Sequence, residues 1–274
     1  MVLLTEMVIT NISDLMGSMD VYEANFTYSL AELNSLSGMD LASSIIGYMN
    51  EFDLSNFANE LLGAGTSFLG NAFLVPIYVL FLLIEENIFH LKLKALVKSP
   101  KKQSNITKLF QKMDKNISRY MLLKTLVSLL TGVLSYLVLL AIGIDAPVFW
   151  AMLIFVLNYI PTIGSLIATL FPALFAVFQY GHLGPFMWVL ASVGAIQIIV
   201  GNIFEPKIMG NSLNISSLVV VLSLALWGAI WGIMGMILSV PITVMMIVAF
   251  VEIPQLRFIA VLLSEKGELN PMEE

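Results

Sequence analysis

The chain has 274 residues, of which 58 % are hydrophobic and 12 % are charged, with a mean hydropathy of +0.91 and a formal net charge of −6. Soluble globular domains are about half apolar and a quarter charged, so this composition excludes that class. The absence of cysteine excludes disulfides, thiolate metal sites and thiol catalysis. We therefore expect an all-α polytopic integral membrane protein, because backbone groups in hydrocarbon must find partners inside their own helix.

Residues 1–65 carry nine acidic side chains and no lysine or arginine. Apolar residues recur among them at helical spacing, as at Leu30, Leu33 and Leu36, which predicts short amphipathic helices. The first ten residues lack the basic flank and the length of a signal peptide. We expect an acidic extracytoplasmic segment that packs on the membrane surface or on neighbouring subunits.

Residues 88–120 hold nine of the thirteen basic side chains of the chain. Such a concentration between two spans indicates a cytoplasmic loop in contact with anionic lipid headgroups. A nucleic-acid surface is the alternative, but stacking aromatics are few in the segment. We therefore expect membrane lipids as partners and no nucleic acid.

The transmembrane part is predicted to cover residues 66–254. A first span over residues 66–85 would run from outside to inside, and a second over 121–142 would return. Lys124 near the start of the second span can extend its ammonium to the cytoplasmic headgroups. Residues 143–147 then form a short outer turn.

Two later apolar runs are too long for one span each, and a simple span over about 185–204 separates them. Residues 147–181 are interrupted by Pro161 and Gly164, which predicts two short helices joined at the break. The second run, residues 216–253, is interrupted by small or helix-breaking residues that serve in close packing or as hinges: Gly228, Gly232, Gly235 and Pro241. Re-entrant helices and ordinary kinked spans are both compatible with these breaks. Residues 255–274 should form a cytoplasmic tail.

Charges and amides are concentrated between those runs, in the stretch GNIFEPKIMGNSLNIS at residues 201–216. Pro206 is expected to end one helix there, and the stretch is interpreted as a gate or substrate-facing loop. Glu205 is the best-placed carboxylate for binding an ion, with a surface ion pair to Lys207 as the alternative. The gating or substrate-path hypothesis for this stretch rests on Asn202, Glu205, Pro206, Lys207, Gly210 and Ser212.

Two blocks resemble the autoinducer-2 exporter family of bacterial membrane proteins, the PerM-type permeases. The first is NYIPTIGSLIATLFPALFAVF at residues 158–178, and the second is EPKIMGNSLNISSLVVVLSLALWGAIWGIMGMILSVPI at 205–242. Matching positions of the first block are Asn158, Ile160, Pro161, Gly164, Pro172 and Ala173; the second block matches at Pro206, Lys207, Ile208, Met209, Gly210, Ser212 and Leu213. The resemblance covers about residues 66–254. Family members usually begin with two further transmembrane helices, whereas this chain opens in the extramembrane segment.

The resemblance implies a multi-pass transporter of the bacterial cytoplasmic membrane, without a cofactor. Its members are associated with export of the furanone autoinducer-2 or with sodium/proton antiport, and both remain open here, as does a scaffold without transport activity. For export of a small polar molecule, the uncharged candidates near the breaks are Asn158 and Gln197, together with Thr162, Ser165 and Asn202. A homo-oligomer is also expected of the family.

An enzyme is not expected. Only two histidines are present, His90 and His182, and each is interpreted as an interfacial residue. No HExxH, GxSxG or phosphate-binding loop occurs in the sequence.

Overall fold

The computed structural model describes residues 17–18, 21–22, 24–29, 77–78, 80–85, 88, 92, 99–209, 215–265 and 267. Regular secondary structure in these residues is helical, without strands. Four of the helices there are long and apolar enough to cross a membrane, which confirms the all-α polytopic fold class. The named helices are α1 (Pro100–Ile142), α2 (Pro147–Leu157), α3 (Ile163–Tyr180), α4 (Leu183–Ile199), a π-helical turn (Val200–Phe204), α5 (Glu205–Met209), α6 (Ser217–Glu252) and α7 (Arg257–Leu263).

The chain divides into two compact units. The first unit contains residues 1–75, 128–158 and 163–201, and the second contains residues 76–127, 159–162 and 202–274.

The basic segment predicted as a cytoplasmic loop is helical from Pro100 onward, and its cytoplasmic location stays a prediction. Its helix, α1, continues without a break into the apolar segment and reaches 43 residues. No glycine or proline occurs between Pro100 and Gly132, and the first turn tolerates Pro100 because its N–H would be unpaired anyway. Most of residues 88–98 lie outside the described residues.

The apolar half of α1 has one polar face and one leucine-rich face. The buried face carries polar side chains at intervals of four, three and four residues: Lys124, Ser128, Thr131 and Ser135. The exposed face carries large apolar side chains at similar intervals: Leu122, Leu126, Leu129, Val133, Leu137 and Leu140. The leucine-rich face suits contact with lipid tails, whereas polar side chains are placed where protein covers them.

In the first unit, α2 and α3 are the two short helices predicted for residues 147–181. A turn at residues 158–162 joins them, and it contains Thr162 at φ 57°, a strained conformation for a β-branched residue. The Tyr180 hydroxyl, at the end of α3, donates to the carbonyl oxygens of Ile142 and Gly143, 2.9 Å away in each case. The start of α2 and the end of α3 therefore both lie near the C-terminal end of α1.

Small residues bring α3 close to α4. The buried face of α3 has a small side chain or proline at every fourth position: Gly164, Ala168, Pro172 and Ala176. A methyl group added to Gly194 of α4 would lie 3.6 Å from Cγ2 of Thr169 on α3, which is ordinary van der Waals contact. Pro172 is accommodated within α3 rather than ending it.

The described part of the acidic N-terminal segment is helical at residues 24–29 and packs within the first unit. Phe26 stacks on Phe178 of α3 with ring centroids 4.4 Å apart. The Tyr22 hydroxyl donates to a carboxylate oxygen of Asp145 over 2.8 Å, at the turn after α1. The remaining residues predicted to form amphipathic helices lie outside the described residues.

Pro206 does not end a helix, contrary to the prediction. From α4 the chain continues through the π-helical turn and α5 to Met209, and Pro206 is the second residue of α5. A proline ring crowds the carbonyl group four residues earlier, and the wider π-helical turn before it relieves that crowding.

In the second unit, α6 is a helical hairpin rather than one rod. The chain reverses at Gly232, whose φ of 62° and ψ of −143° are not helical. The Trp227 indole N–H donates to the Thr243 hydroxyl over 3.4 Å, a contact between arms 217–231 and 233–252. The sequence predicted interruptions at several residues of this run, whereas the chain reverses direction only at Gly232. Pro241 lies buried inside the second arm.

Candidate functional site

The first unit contains a buried hydrogen bond between α1 and the turn that follows α2. Asn158 follows α2 directly, and its amide Nδ2 donates to the Ser128 hydroxyl of α1 over 3.1 Å. Both side chains are buried. A buried amide fixes the position of the turn it belongs to, because losing a partner leaves a polar group without compensation.

Among the described residues of this unit, three other buried polar atoms have no hydrogen-bond partner. They are Gln197 Nε2 on α4, Ser135 Oγ on α1 and Trp150 Nε1 on α2. A buried unpaired donor costs about 1–3 kcal/mol, so such atoms mark positions where a water or a ligand can bind. The sequence singled out Gln197 but missed Ser135.

Regular spacing on α1 could have identified the missed residues. Ser128, Thr131 and Ser135 follow Lys124 at spacings of four, three and four residues, and all three are completely buried. Small hydroxyl residues at that spacing in an apolar run predict one polar face of a helix. The signal was weak because serine and threonine are also tolerated at close helix contacts in membranes.

In the second unit, the ammonium group of Lys124 lies 2.5 Å from the Glu205 carboxylate. The Lys124 side chain is 6 % exposed and that of Glu205 is 23 % exposed. The Lys124 ammonium is thus buried against Glu205 instead of extended to the surface as expected, and the alternative pairing of Glu205 with Lys207 is not observed. An ion pair in a low-dielectric site is held strongly, because either charge left alone would be uncompensated.

Hydroxyl groups are found near the ion pair within the same unit. Tyr120 lies one turn before Lys124 on α1 and is buried. The Thr125 hydroxyl and the Tyr159 hydroxyl lie 2.6 Å apart. This part of the second unit therefore combines two opposite charges with neutral hydrogen-bonding groups.

The remaining sequence candidates near Glu205 are exposed or lie outside the described residues. Asn202, Pro206 and Lys207 are exposed. Gly210 and Ser212 lie outside the described residues. The gate or substrate-facing loop predicted for residues 201–216 stays a hypothesis.

Two of the glycines of α6 line the contact between its arms. A methyl group at Gly235 would overlap the backbone carbonyl of Trp227, and one at Gly228 would lie 3.0 Å from the flexible Met236 side chain. Gly232 forms the reversal itself. In the first unit, Gly164 is buried at the start of α3, after the turn that contains Pro161.

No group of three or more metal-ligating side chains occurs among the residues that the structure describes. In that part of the chain the buried polar side chains are hydroxyls, amides and one ammonium group. The described buried groups can therefore form hydrogen bonds in the first unit, and they include a charged pair in the second.

The sequence model described as AI-2E family transporter matches residues 1–255. A protein of Borreliella burgdorferi, named "Putative transport protein", is 34 % identical over 263 residues, covering 93 % of this chain and 70 % of that protein. The "AI-2 transport protein TqsA" of Escherichia coli is 36 % identical over 212 residues, covering 77 % of this chain and 59 % of that protein. A Haemophilus influenzae protein, also named "Putative transport protein", is 34 % identical over 259 residues, with coverage of 93 % and 70 %.

The family match extends the resemblance beyond residues 66–254, since it begins at residue 1. The names of these relatives describe transport rather than catalysis, in agreement with the expectation that the chain is not an enzyme. The chain spans 59–70 % of the length of these three relatives.

Proposed function

Because the chain belongs to the AI-2E family transporters, we propose that it exports a small uncharged polar molecule of the autoinducer-2 type. Membrane transport follows from the family and from the membrane-length helices. The substrate class and the outward direction are the proposal.

The buried unpaired Gln197 amide is the observation that carries the substrate class. The buried polar side chains of the first unit that the structure describes are all uncharged, among them Ser128, Asn158 and Gln197. A polyhydroxylated molecule can accept from the amide Nε2 and donate to neighbouring oxygens without bringing a charge into the membrane. An anionic substrate would need a compensating cation, because an isolated charge in a low-dielectric site is costly.

We infer the orientation from the basic residues in the first half of α1 and the acidic residues of segment 1–65. The basic first half of this helix should lie in the cytoplasm, as expected for the inner membrane of a bacterium. The turn at residues 143–147 and the acidic residues 1–65 would then lie outside, and residues 255–274 inside.

Replacing Gln197 with leucine tests the substrate class. Uptake of autoinducer-2 into inverted membrane vesicles corresponds to export from the cell, and we expect its kcat/KM to fall about tenfold when one buried hydrogen bond is lost. Ser192→Ala on the same helix is the matched control, because the Ser192 hydroxyl donates to the Trp188 carbonyl of its own helix. Equal uptake by Gln197→Leu and Ser192→Ala would reject the role of Gln197.

Sodium/proton antiport is a second candidate, supported by the partly exposed Glu205 carboxylate. An antiporter needs a carboxylate that binds a cation and a proton in turn. Sodium-dependent dequenching of a pH-sensitive dye in the same vesicles should disappear in Glu205→Gln if antiport is the activity. If autoinducer-2 uptake persists in Glu205→Gln and no sodium response exists in the native protein, Glu205 is not a coupling site.

A scaffold without transport activity is disfavoured by the family. Its relatives include a protein named for autoinducer-2 transport. Loss of vesicle uptake in any folded single variant would exclude it.

A further inference from the structure

Four basic side chains line one face of α1 before its apolar half. They follow one another at intervals of four, three and four residues and form what we name the basic stripe: Lys108, Lys112, Lys115 and Arg119. Lys112 is half-buried and the other three are exposed. Among the described residues, none of the four forms an ion pair. The stripe is therefore a concentrated positive surface without a described counter-charge.

Lipid headgroups can neutralise only one end of the stripe. The headgroup layer is about 6 Å thick on each side of the hydrocarbon core. Arg119 directly precedes the buried Tyr120, whereas Lys108 lies about 16 Å further along the helix axis. Where the continuous helix α1 stands along the membrane normal, Lys108 and Lys112 extend beyond the headgroups. That part of the stripe is then open to a different anion.

An acidic segment of the same chain begins close to the stripe. Residues 264–274 contain four glutamates and one lysine: Glu265, Glu268, Glu273, Glu274 and Lys266. Leu263, directly before this segment, packs against the buried cluster that contains Tyr120. The segment thus starts beside the cluster that includes Tyr120, the neighbour of Arg119 in the chain. Its ten residue steps can extend about 33 Å, twice the length of the stripe.

We propose that residues 264–274 bind the basic stripe of the same chain by charge complementarity. Each exposed pair contributes little alone, but the short connection to Leu263 keeps the local concentration of the glutamates high. The bound segment shields the stripe from other anions in the cytoplasm. This interaction does not depend on the transported substrate.

The chain contains no cysteine, so a pair of labels reports on the segment directly. Nitroxides would be attached to Gln111→Cys and Met272→Cys in the full chain in nanodiscs of zwitterionic lipid. We expect a population with a label separation under about 30 Å, within the extended reach of the segment. Raising the salt from 0.1 M to 1 M shortens the screening length from about 10 Å to about 3 Å, and the short-distance population should fall roughly fivefold.

Variants separate this interaction from other causes. Neutralising the segment (E265Q/E268Q/E273Q/E274Q) should abolish the short-distance population, while Glu252→Gln, an exposed acidic residue outside the segment, should preserve it. Reversing both partners (K108E/K112E/K115E/R119E with E265K/E268K/E273K/E274K) should restore it. The proposal would be overturned if the distribution of label distances stayed the same after the segment is neutralised and after the salt concentration is raised. It would also be overturned by a stripe that binds anionic nanodisc lipid equally well with and without the acidic side chains.

Discussion

The most consequential single contact in the second unit is the ion pair between Lys124 and Glu205. Lys124 is the one charged side chain among the buried residues that the structure describes. Charged groups in a transmembrane helix are costly unless they are paired or reach water. Because Lys124 does not reach the surface, Glu205 supplies the compensation and fixes α5 against α1.

Removing Glu205 should destabilise the protein more than removing Lys124. Glu205→Gln leaves the deeply buried ammonium group unpaired, so we expect a loss of about 3 kcal/mol in the free energy of unfolding. Lys124→Met should cost less, because the remaining carboxylate is partly exposed. Chemical unfolding of the detergent-solubilised variants, followed by tryptophan fluorescence, measures both.

The double variant Lys124→Met/Glu205→Gln is the control for this pair. Its loss should be smaller than the sum of the single losses, because no charge is left uncompensated. Strictly additive losses would show that the two side chains act independently.

Sequence patterns identified Glu205 but not its partner. Lys207 is two residues from Glu205 and Lys124 is 81 residues away, so only the pairing with Lys207 could be considered from the sequence. The ion pair depends on how α5 packs against α1, which local spacing does not determine. Buried Asn158 and Gln197 were identified because amides are rare in long apolar runs.

At the scale of elements, α6 shows that glycines in one segment have different structural roles. Gly232 adopts a backbone conformation that side chains disfavour, Gly235 provides space for a carbonyl group, and Gly228 faces a flexible methionine. Only a residue without Cβ fits where two helix backbones come this close.

Alanine substitutions at these glycines should therefore destabilise the protein to different degrees. Gly235→Ala should destabilise most, by several kcal/mol, because the arms must separate, whereas Gly228→Ala should cost about 1 kcal/mol as Met236 moves. Gly201→Ala is the matched control, since no atom lies within 4 Å of the added methyl group. Monodispersity and thermal unfolding in detergent give the ranking, and equal losses at Gly235 and Gly201 would contradict the hairpin contact.

The sequence predicted the existence of helix breaks better than their positions. Glycine and proline correctly marked 147–181 and 216–253 as interrupted, and the break near Pro161 is observed. Pro172, Pro206 and Pro241 nevertheless lie inside helices. A helix in a membrane protein can include a proline when neighbouring groups satisfy the freed carbonyl, so proline alone does not locate an end.

At the scale of the whole molecule, each of the two overlong apolar runs is a hairpin. Within each hairpin the two ends of the run lie close together. The Tyr180 hydrogen bond places the end of α3 beside the end of α1. The two ends of α6 pack in one cluster, because Val219 and Val248 both contact the residues around Tyr120. Each run therefore folds back on itself instead of forming one straight rod.

The tip of α6 should be inaccessible from outside the cell. Arm 217–231 is about 22 Å long, shorter than the roughly 30 Å hydrocarbon core, so a hairpin entering from the cytoplasm does not reach the outer surface. We expect Ile233→Cys in intact cells to react with a membrane-impermeant maleimide far more slowly than His182→Cys, which lies in the exposed turn before α4. Lys112→Cys, on the basic half of α1, should react only after the cytoplasmic side is opened. If Ile233→Cys reacts as fast as His182→Cys, α6 spans the membrane and the re-entrant interpretation is wrong.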